Sequence, residues 1–490
     1  MDKRKRLRDR RSAHLTQSQT NHDDETLHFL SVPRHHRPAT GLGRILTYTA
    51  VMFALPSSSF AARRSRVLDA MPEGSALLLP TNVEQPRNGD VVYPFRPDSD
   101  FFWLTGFEEA NAWALLKKGE PAYTLFVLPK DRVKEIWTGI RAGTEGAVKT
   151  YGADAAFPLP DLETKLATLL EDVNALYYAW GRREATDATV NRVLSTLRRG
   201  RKLHKGPTSI LEPGLLLSDM RLHKTADELG LMRIGAEITA EAHTAAMREV
   251  RPGMREYEIQ ALVEYTFRRR GAWGWAYPSI VGAGENACIL HYHANDAVMR
   301  DDTLMLIDAG AEIYGYATDV TRTSPVGGRF TGPQRDLYEL VLAVEEKACA
   351  DTMPGATLQG IHDDVVRGLT DGFIHLGLLE GSVDEAIETE SYKRYYMHRT
   401  SHWLGLDVHD VGRYQRRDGV GKGDNRALQP GMVITIEPGI YVSPDDECAP
   451  EAYRGIGIRI EDDVLVTPEG HENLTASTPK TVAEIEALRD

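Results

Sequence analysis

The chain has 490 residues, of which 42% are hydrophobic and 26% charged, and a formal net charge of −13. That length exceeds one ordinary core and predicts two or three domains, and the acidic balance argues against nucleic-acid binding, which depends on neutralising phosphates. Three scattered cysteines, Cys288, Cys349 and Cys448, exclude a disulfide framework or a Cys-x-x-Cys zinc site and point to a reducing, cytoplasmic setting.

Residues 1–44 are rich in Arg, His, Asp and Ser and have no helical or strand period, which predicts disorder. The apolar run from Ile45 to Leu55 is too short to span a bilayer, so no membrane partner is expected. Residues 45–62 together have the pattern of a signal-peptide core with a small-residue cleavage site, which would make the protein exported. The long basic stretch in front argues instead that translation starts at Met52. Residues 1–57 are therefore read as an extension, disordered or non-native, outside the folded chain.

From residue 58 to 214 short apolar runs alternate with helical stretches. Ser75 to Leu79, Ala112 to Leu116, Tyr123 to Leu128 and Ala175 to Ala179 read as buried strands, and Pro160 to Glu171 and Asp187 to Arg199 as helices. This predicts one α/β domain. Turn-rich segments at Lys205–Ser209 and Glu212–Gly214 mark its end.

A second domain is predicted over 215–485. Thr225 and Glu228 form a capping box that opens a long helix, which Pro252 and Gly253 end. Tyr257 to Arg270 is a second helix, closed by Gly271. Thr331 to Pro333 open a third, with a buried stripe of Leu337, Leu340, Val341 and Val344. The β-rich stretches around these helices hold the polar residues of interest.

Thr303 to Thr323 reads as two apolar strands around a glycine-containing connection. A hairpin there sets Asp308, at the end of a buried strand, beside Asp319 on the return. Two adjacent buried carboxylates repel each other and lose hydration, so each needs a cation or a proton; taken alone, they also fit a pair of turn aspartates. Gly455 to Thr467 reads as one strand whose alternation puts Arg459 and Glu461 on one face. Met432 to Glu437 is an apolar strand ending in a glutamate, which a salt bridge to an arginine would also explain. His398, His402 and His409 cluster within a glycine- and aromatic-bearing segment, and His291 lies in a separate one. Four strand-associated carboxylates and an imidazole make an oxygen-rich donor set. It suits two hard or borderline divalent cations such as Mn²⁺, and paired cations are the basis of two-metal hydrolysis.

These segments resemble the pita-bread metallopeptidases, most closely the aminopeptidase P family. The resemblance is carried by Ile280 to Tyr292, Leu306 to Gly310, Thr318 to Thr323, Ser401 to Gly412, Ile436 to Tyr441 and Gly457 to Asp462, in family order. Tyr93 to Gly106 and Trp137 to Gly143 resemble the N-terminal domain shared with prolidase and creatinase. The fold implied is an α/β N-terminal domain followed by an α+β pita-bread catalytic domain.

The resemblance implies that Asp308, Asp319, His402, Glu437 and Glu461 hold two divalent metal ions. The implied activity is removal of an N-terminal residue that precedes proline, by a hydroxide bridging the metals, with Glu437 also taking the proton of the attacking water. His291 and His409 are expected to donate to the substrate carbonyl and its oxyanion, while His398, Arg459 and Tyr441 bind substrate or support the ligands. A homo-oligomer, dimer or tetramer, is expected. Prolidase, which cleaves Xaa-Pro dipeptides, is the alternative, and an inactive binding module is disfavoured by the intact ligand set.

Overall fold

The computed structural model describes residues 53–199, 205–416 and 424–490. The expected disorder of residues 1–44 and most of the apolar run behind it lie outside the described residues. Residues 53–57 do not belong to an extension. Leu55 is buried, and a helix opens at Ser57, running Ser57–Ala70 and burying Phe60 and Val67. Residues 57–62 of the suggested cleavage region are thus helix within the folded unit; the apolar face of that helix fills a core, which small residues alone did not reveal. No described helix is long and apolar enough to cross a membrane.

The first half of the chain forms a six-stranded mixed sheet. Its order is Ala155–Pro158, Tyr123–Val127, Trp113–Lys117, Ser75–Pro80, Ala175–Tyr177 and Ser209–Leu211. The four strands read from the sequence occupy the middle of it, and the outer two were not recognised because their side chains are only partly buried. Helices Leu162–Leu169 and Glu184–Arg198 cover one face with Leu166, Val190 and Leu194. The other face, with Leu77, Leu79 and Leu125, joins Phe101, Phe102 and Trp103 in a core that continues into Met232, Ile238, Met305 and Ile307 of the second half.

In the second half, the capping boxes at Thr225 and Thr331 are both present, and the helices they open span Ala226–Glu249 and Gly332–Asp351. Glu256–Arg269 lies between them. A further helix, Leu358–His375, buries Leu358, Ile361, Val365, Leu369 and Phe373, one stripe of a 3.6-residue period. Two separate three-stranded antiparallel sheets lie among them, Glu256–Arg269 packing on the first and Gly332–Asp351 on the second. One is ordered Ile280–Ala283, Leu304–Asp308, Thr321–Pro325; the other Val433–Ile436, Asp462–Thr467, Gly470–Asn473.

One expectation changes here. Gly455 to Thr467 is two strands, Gly457–Arg459 pairing with Gly439–Tyr441 and Asp462–Thr467 pairing with Val433–Ile436. The chain switches sheets at Ile460 and Glu461; the residues on either side of the switch are buried, so hydrophobicity could not mark the break. Thr303 to Thr323 is the expected hairpin: Leu304–Asp308 pairs with Thr321–Pro325, and the same register continues through Ala311–Ile313 with Tyr316–Ala317, which belong to another sheet.

Candidate metal and catalytic site

The hairpin explains how two aspartates come together. In the Leu304–Asp308 and Thr321–Pro325 pair, Asp308 stands opposite Thr321. The pairing continues beyond it: the Ala309 N–H donates to the Val320 carbonyl at 3.1 Å, and the Thr318 N–H to the Ala311 carbonyl at 3.1 Å. A Cβ placed on Gly310 would lie 1.7 Å from the Thr318 carbonyl oxygen, so only glycine lets the two strands approach this closely. Asp308 and Asp319 therefore leave adjacent strand ends toward the same space.

The remaining donors come from breaks in the other sheet. Glu437 follows Val433–Ile436, and its N–H donates to the Thr400 carbonyl at 2.9 Å. Glu461 sits at the switch between sheets, where its N–H donates to the Thr321 carbonyl at 3.1 Å. The backbone N–H of His402 is held by Thr435 Oγ1 at 3.1 Å, and its ring Nδ1 lies 3.1 Å from the Trp403 carbonyl. In the tautomer that gives the Nδ1 proton to that carbonyl, Nε2 presents its lone pair to the site. Nε2 lies 3.4 Å from Asp319 Oδ2 and 3.6 Å from Glu437 Oε1. Donor atoms of Asp319, His402 and Glu461 all lie within 4.8 Å of one another.

A hydrogen-bonded ring surrounds these groups. Asp308 accepts from the Tyr277 hydroxyl at 2.6 Å and from Arg459 Nη2 at 2.6 Å. Arg459 also donates to the Tyr441 hydroxyl at 3.0 Å and to Thr321 Oγ1 at 3.1 Å. Thr321 Oγ1 in turn donates to Glu461 Oε2 at 2.6 Å. His398 Nε2 lies 2.9 Å from the Tyr441 hydroxyl, and the backbone N–H of Asp319 donates to Asp463 at 3.1 Å.

The charge balance is unfavourable for the protein alone. Burial, followed by repulsion from Asp319, Glu437 and Asp308, pushes the Glu461 carboxyl well up. Burial pushes Glu437 up to about 7, against the pull of His402. Asp308 is also raised, because burial and Asp319 outweigh Arg459. Burial opposes a charge on His402, yet Asp319 and Glu437 overcome it and lift its pKa to about 9. Several buried carboxylates sharing few cations is the arrangement that divalent metal relieves, and these donors fit such ions.

In front of the donors lies a cavity of about 610 Å³, lined among others by His291, His398, His409, Arg399 and Tyr414. His409 packs on His402, and partial loss of hydration in the cavity, together with that neighbour, lowers its pKa although its surface stays exposed. His398 is held neutral, its pKa lowered to about 3 by burial and by Arg459. Every residue named from the sequence thus lies in the donor cluster, on the ring around it or on the cavity wall. Sequence reading missed Tyr277 and Asp463. A lone tyrosine before Pro278 carries no pattern, whereas Asp463, directly after Glu461 and Asp462, was a visible acidic neighbour.

The comparisons agree with this geometry. A family model described as metallopeptidase family M24 matches residues 230–468, and one described as aminopeptidase P, N-terminal domain, matches residues 60–177. The Xaa-Pro aminopeptidase of Escherichia coli K12 is 43% identical over 441 residues, which is 89% of this chain and 98% of that one. That of Haemophilus influenzae is 43% identical over 446 residues, 90% and 99% of the two chains. Among solved structures, Pseudomonas aeruginosa aminopeptidase PepP matches with a TM-score of 0.87 at 47% identity, covering 89% of this chain and 98% of that one. A glutamate-to-alanine form of Escherichia coli aminopeptidase P in complex with substrate matches with a TM-score of 0.85 at 43% identity, with the same coverage. Near-complete coverage of both chains, together with the converging donors, makes this protein a member of the aminopeptidase P family of M24 metallopeptidases.

Proposed function

We propose that Asp308, Asp319, His402, Glu437 and Glu461 hold two divalent cations, and that the cavity before them receives the N-terminus of a peptide whose second residue is proline. The enzyme is a metallo-aminopeptidase of the Xaa-Pro type. The observation that carries the site assignment is the convergence of three buried carboxylates, the partly buried Glu437 and one imidazole with, among the described residues, only Arg459 ion-paired to them as a permanent cation. By the resemblance, Asp308, Asp319 and Glu461 would hold one ion, and Asp319, Glu461, His402 and Glu437 would hold the other. When bound, the metal pair supplies a nucleophilic water at neutral pH and polarises the scissile carbonyl.

The chain's own groups do the rest. Glu437, at the edge of the donor cluster and on the cavity wall, accepts the proton of the attacking water. His291 and His409 donate hydrogen bonds to the substrate carbonyl and to the oxygen that gains charge. His398, Tyr441 and Arg459 fix the orientation of Asp308 and Thr321 through the contacts described above. The oxygen-rich donor set supports Mn²⁺ over thiophilic metals.

Two wider readings follow. An exposed apolar row, Val133, Ile136, Trp137 and Ile140, supports self-association into a dimer or tetramer, which light scattering tests. Three unpaired cysteines support a cytoplasmic setting.

Metal-reconstituted protein assayed on Xaa-Pro-Xaa tripeptides and Xaa-Pro dipeptides tests the activity. Release of the first residue from tripeptides, lost on chelation and restored by Mn²⁺, is expected. Cleavage confined to dipeptides would favour a prolidase, although both relatives described above are named Xaa-Pro aminopeptidases.

A further inference from the structure

The segment that carries His402 and His409 has little regular structure to hold it. Its only ladder contact is an isolated bridge from Trp403 to Ile434. His409 is exposed, and among the described residues its side chain makes no hydrogen bond; its ring meets only that of His402. The position of His409 must then be set through its chain neighbours. Two of them are aspartates, Asp407 and Asp410, and both turn away from the cavity toward one buried guanidinium.

Arg221 is 3% exposed. Its Nη2 donates to Asp407 at 2.9 Å and to Asp410 at 2.5 Å, and its Nη1 donates to Asp100 at 2.7 Å. Buried Lys224 donates to the second oxygen of Asp410 at 3.2 Å. The loop closes on this anchor: the Asp410 N–H donates to the Trp403 carbonyl at 2.8 Å, and the Gly405 N–H to the Asp407 carbonyl at 3.1 Å. Gly405 presses so closely on Asp410 that a Cβ there would lie 2.1 Å from its carboxylate. The far side of the cluster belongs to the helix Ser99–Thr105, which supplies Asp100 and the hydroxyl of Ser99, 2.6 Å from Asp407. Arg96, just before that helix, donates to the Leu406 carbonyl and to Glu312.

We propose that Arg221 is a positioning residue for His409, and that through it the Ser99–Thr105 helix sets the geometry of the catalytic loop. The proposal rests on His409 being the substrate-facing donor described above. A planar guanidinium can serve three carboxylates at once, which an ammonium on a flexible stem cannot reproduce. It stands outside the cavity that receives substrate and touches no proposed ligand. Loosening it displaces His409 while the carboxylates at or beside strand ends, and His402, whose backbone is pinned on both sides by Thr435, stay in place. Small displacements of a catalytic donor are costly to turnover.

The test uses full-length holoenzyme with three hub variants, Asp100→Ala, Arg221→Lys and Arg221→Gln, and with His409→Ala. Turnover on an Xaa-Pro-Xaa tripeptide, bound metal and the ¹H–¹⁵N signal of the His409 ring in the Zn²⁺-loaded enzyme are measured. Asp100→Ala and Arg221→Lys are expected to lower kcat by about tenfold, with KM and metal content unchanged, and to shift the His409 signal. In a His409→Ala background the same changes should cost nothing further. An unmoved His409 signal, or an equal loss of kcat in both backgrounds, overturns the proposal. Should Arg221→Gln fail to fold, the other two variants still decide. Wild-type turnover in His409→Ala alone would overturn the catalytic role of that histidine, while the ring signal would still report on the hub.

Discussion

The ring of His409 packs edge-on against that of His402, with centroids 4.3 Å apart and planes inclined at 65°. His402 belongs to the donor cluster and His409 only to the cavity wall, so the contact joins the proposed metal site to the proposed substrate site. The two residues should fail differently when changed. His409→Ala is expected to retain bound metal and lose turnover by roughly two powers of ten, as removal of an oxyanion donor does. Metal analysis beside steady-state kinetics checks this; loss of an ion in the variant would reassign His409 as a ligand.

Asp308→Ala and Glu461→Ala should lose metal and activity together. Both carboxylates are buried among like charges, with Arg459 their nearest strong cation. Without the ligand, Arg459 also loses its bond to Asp308, and a buried cation without its partner is strongly destabilising. Elemental analysis of the purified variants gives the answer; full metal occupancy in Glu461→Ala would refute the assignment.

Tyr277 offers a milder test. Its hydroxyl donates to Asp308 at 2.6 Å, and removing such an outer partner weakens metal affinity by roughly 10- to 100-fold. Tyr277→Phe should show that loss in a competitive chelator titration while keeping the fold. Unchanged affinity would mean that Arg459 alone orients Asp308.

Acidity should act through the ligands. In the metal-free protein Glu437 is raised from 4.5 to about 7, by burial above all. A carboxyl raised on folding contributes stability that is fully present below its unfolded pKa and is lost as pH rises through the folded one. Metal-free protein should therefore lose melting temperature between about pH 4.5 and pH 7. Added Mn²⁺ should restore it most at the upper end, where the ligands are ionised. Calorimetric scans with and without metal, at about pH 5 and about pH 7.5, measure the difference. An equal metal-induced shift at both would contradict the assignment.

Much of the site was legible because its residues sit in locally patterned segments. Asp308 and Glu437 end apolar strands, and a charged group at such an end is conspicuous against its neighbours. The capping box at Thr225 was equally plain, since both partners lie within one turn. What could not be read depends on contacts between distant segments. Arg221 reaches Asp407 across 186 positions, and Tyr277 reaches Asp308 across 31. The switch between sheets at Ile460 and Glu461 is silent because both flanking strands are buried on all sides, which removes the alternation that would mark an edge. The helix Leu358–His375 shows a clear amphipathic stripe and could have been named from it.

The close approach at Gly310 limits how this sequence can drift. Elsewhere in the two strands a methyl group more or less is a matter of repacking, and later changes nearby can compensate. At Gly310 even alanine would drive its first carbon into the Thr318 carbonyl and spread apart the segments that carry Asp308 and Asp319. The harm would fall on the spacing of the two proposed ligands, out of reach of any compensating change in the hydrophobic core. The apolar neighbours of that position can thus change with repacking while the position itself stays fixed, and a lineage that lost the glycine would feel the loss first in the proposed metal site.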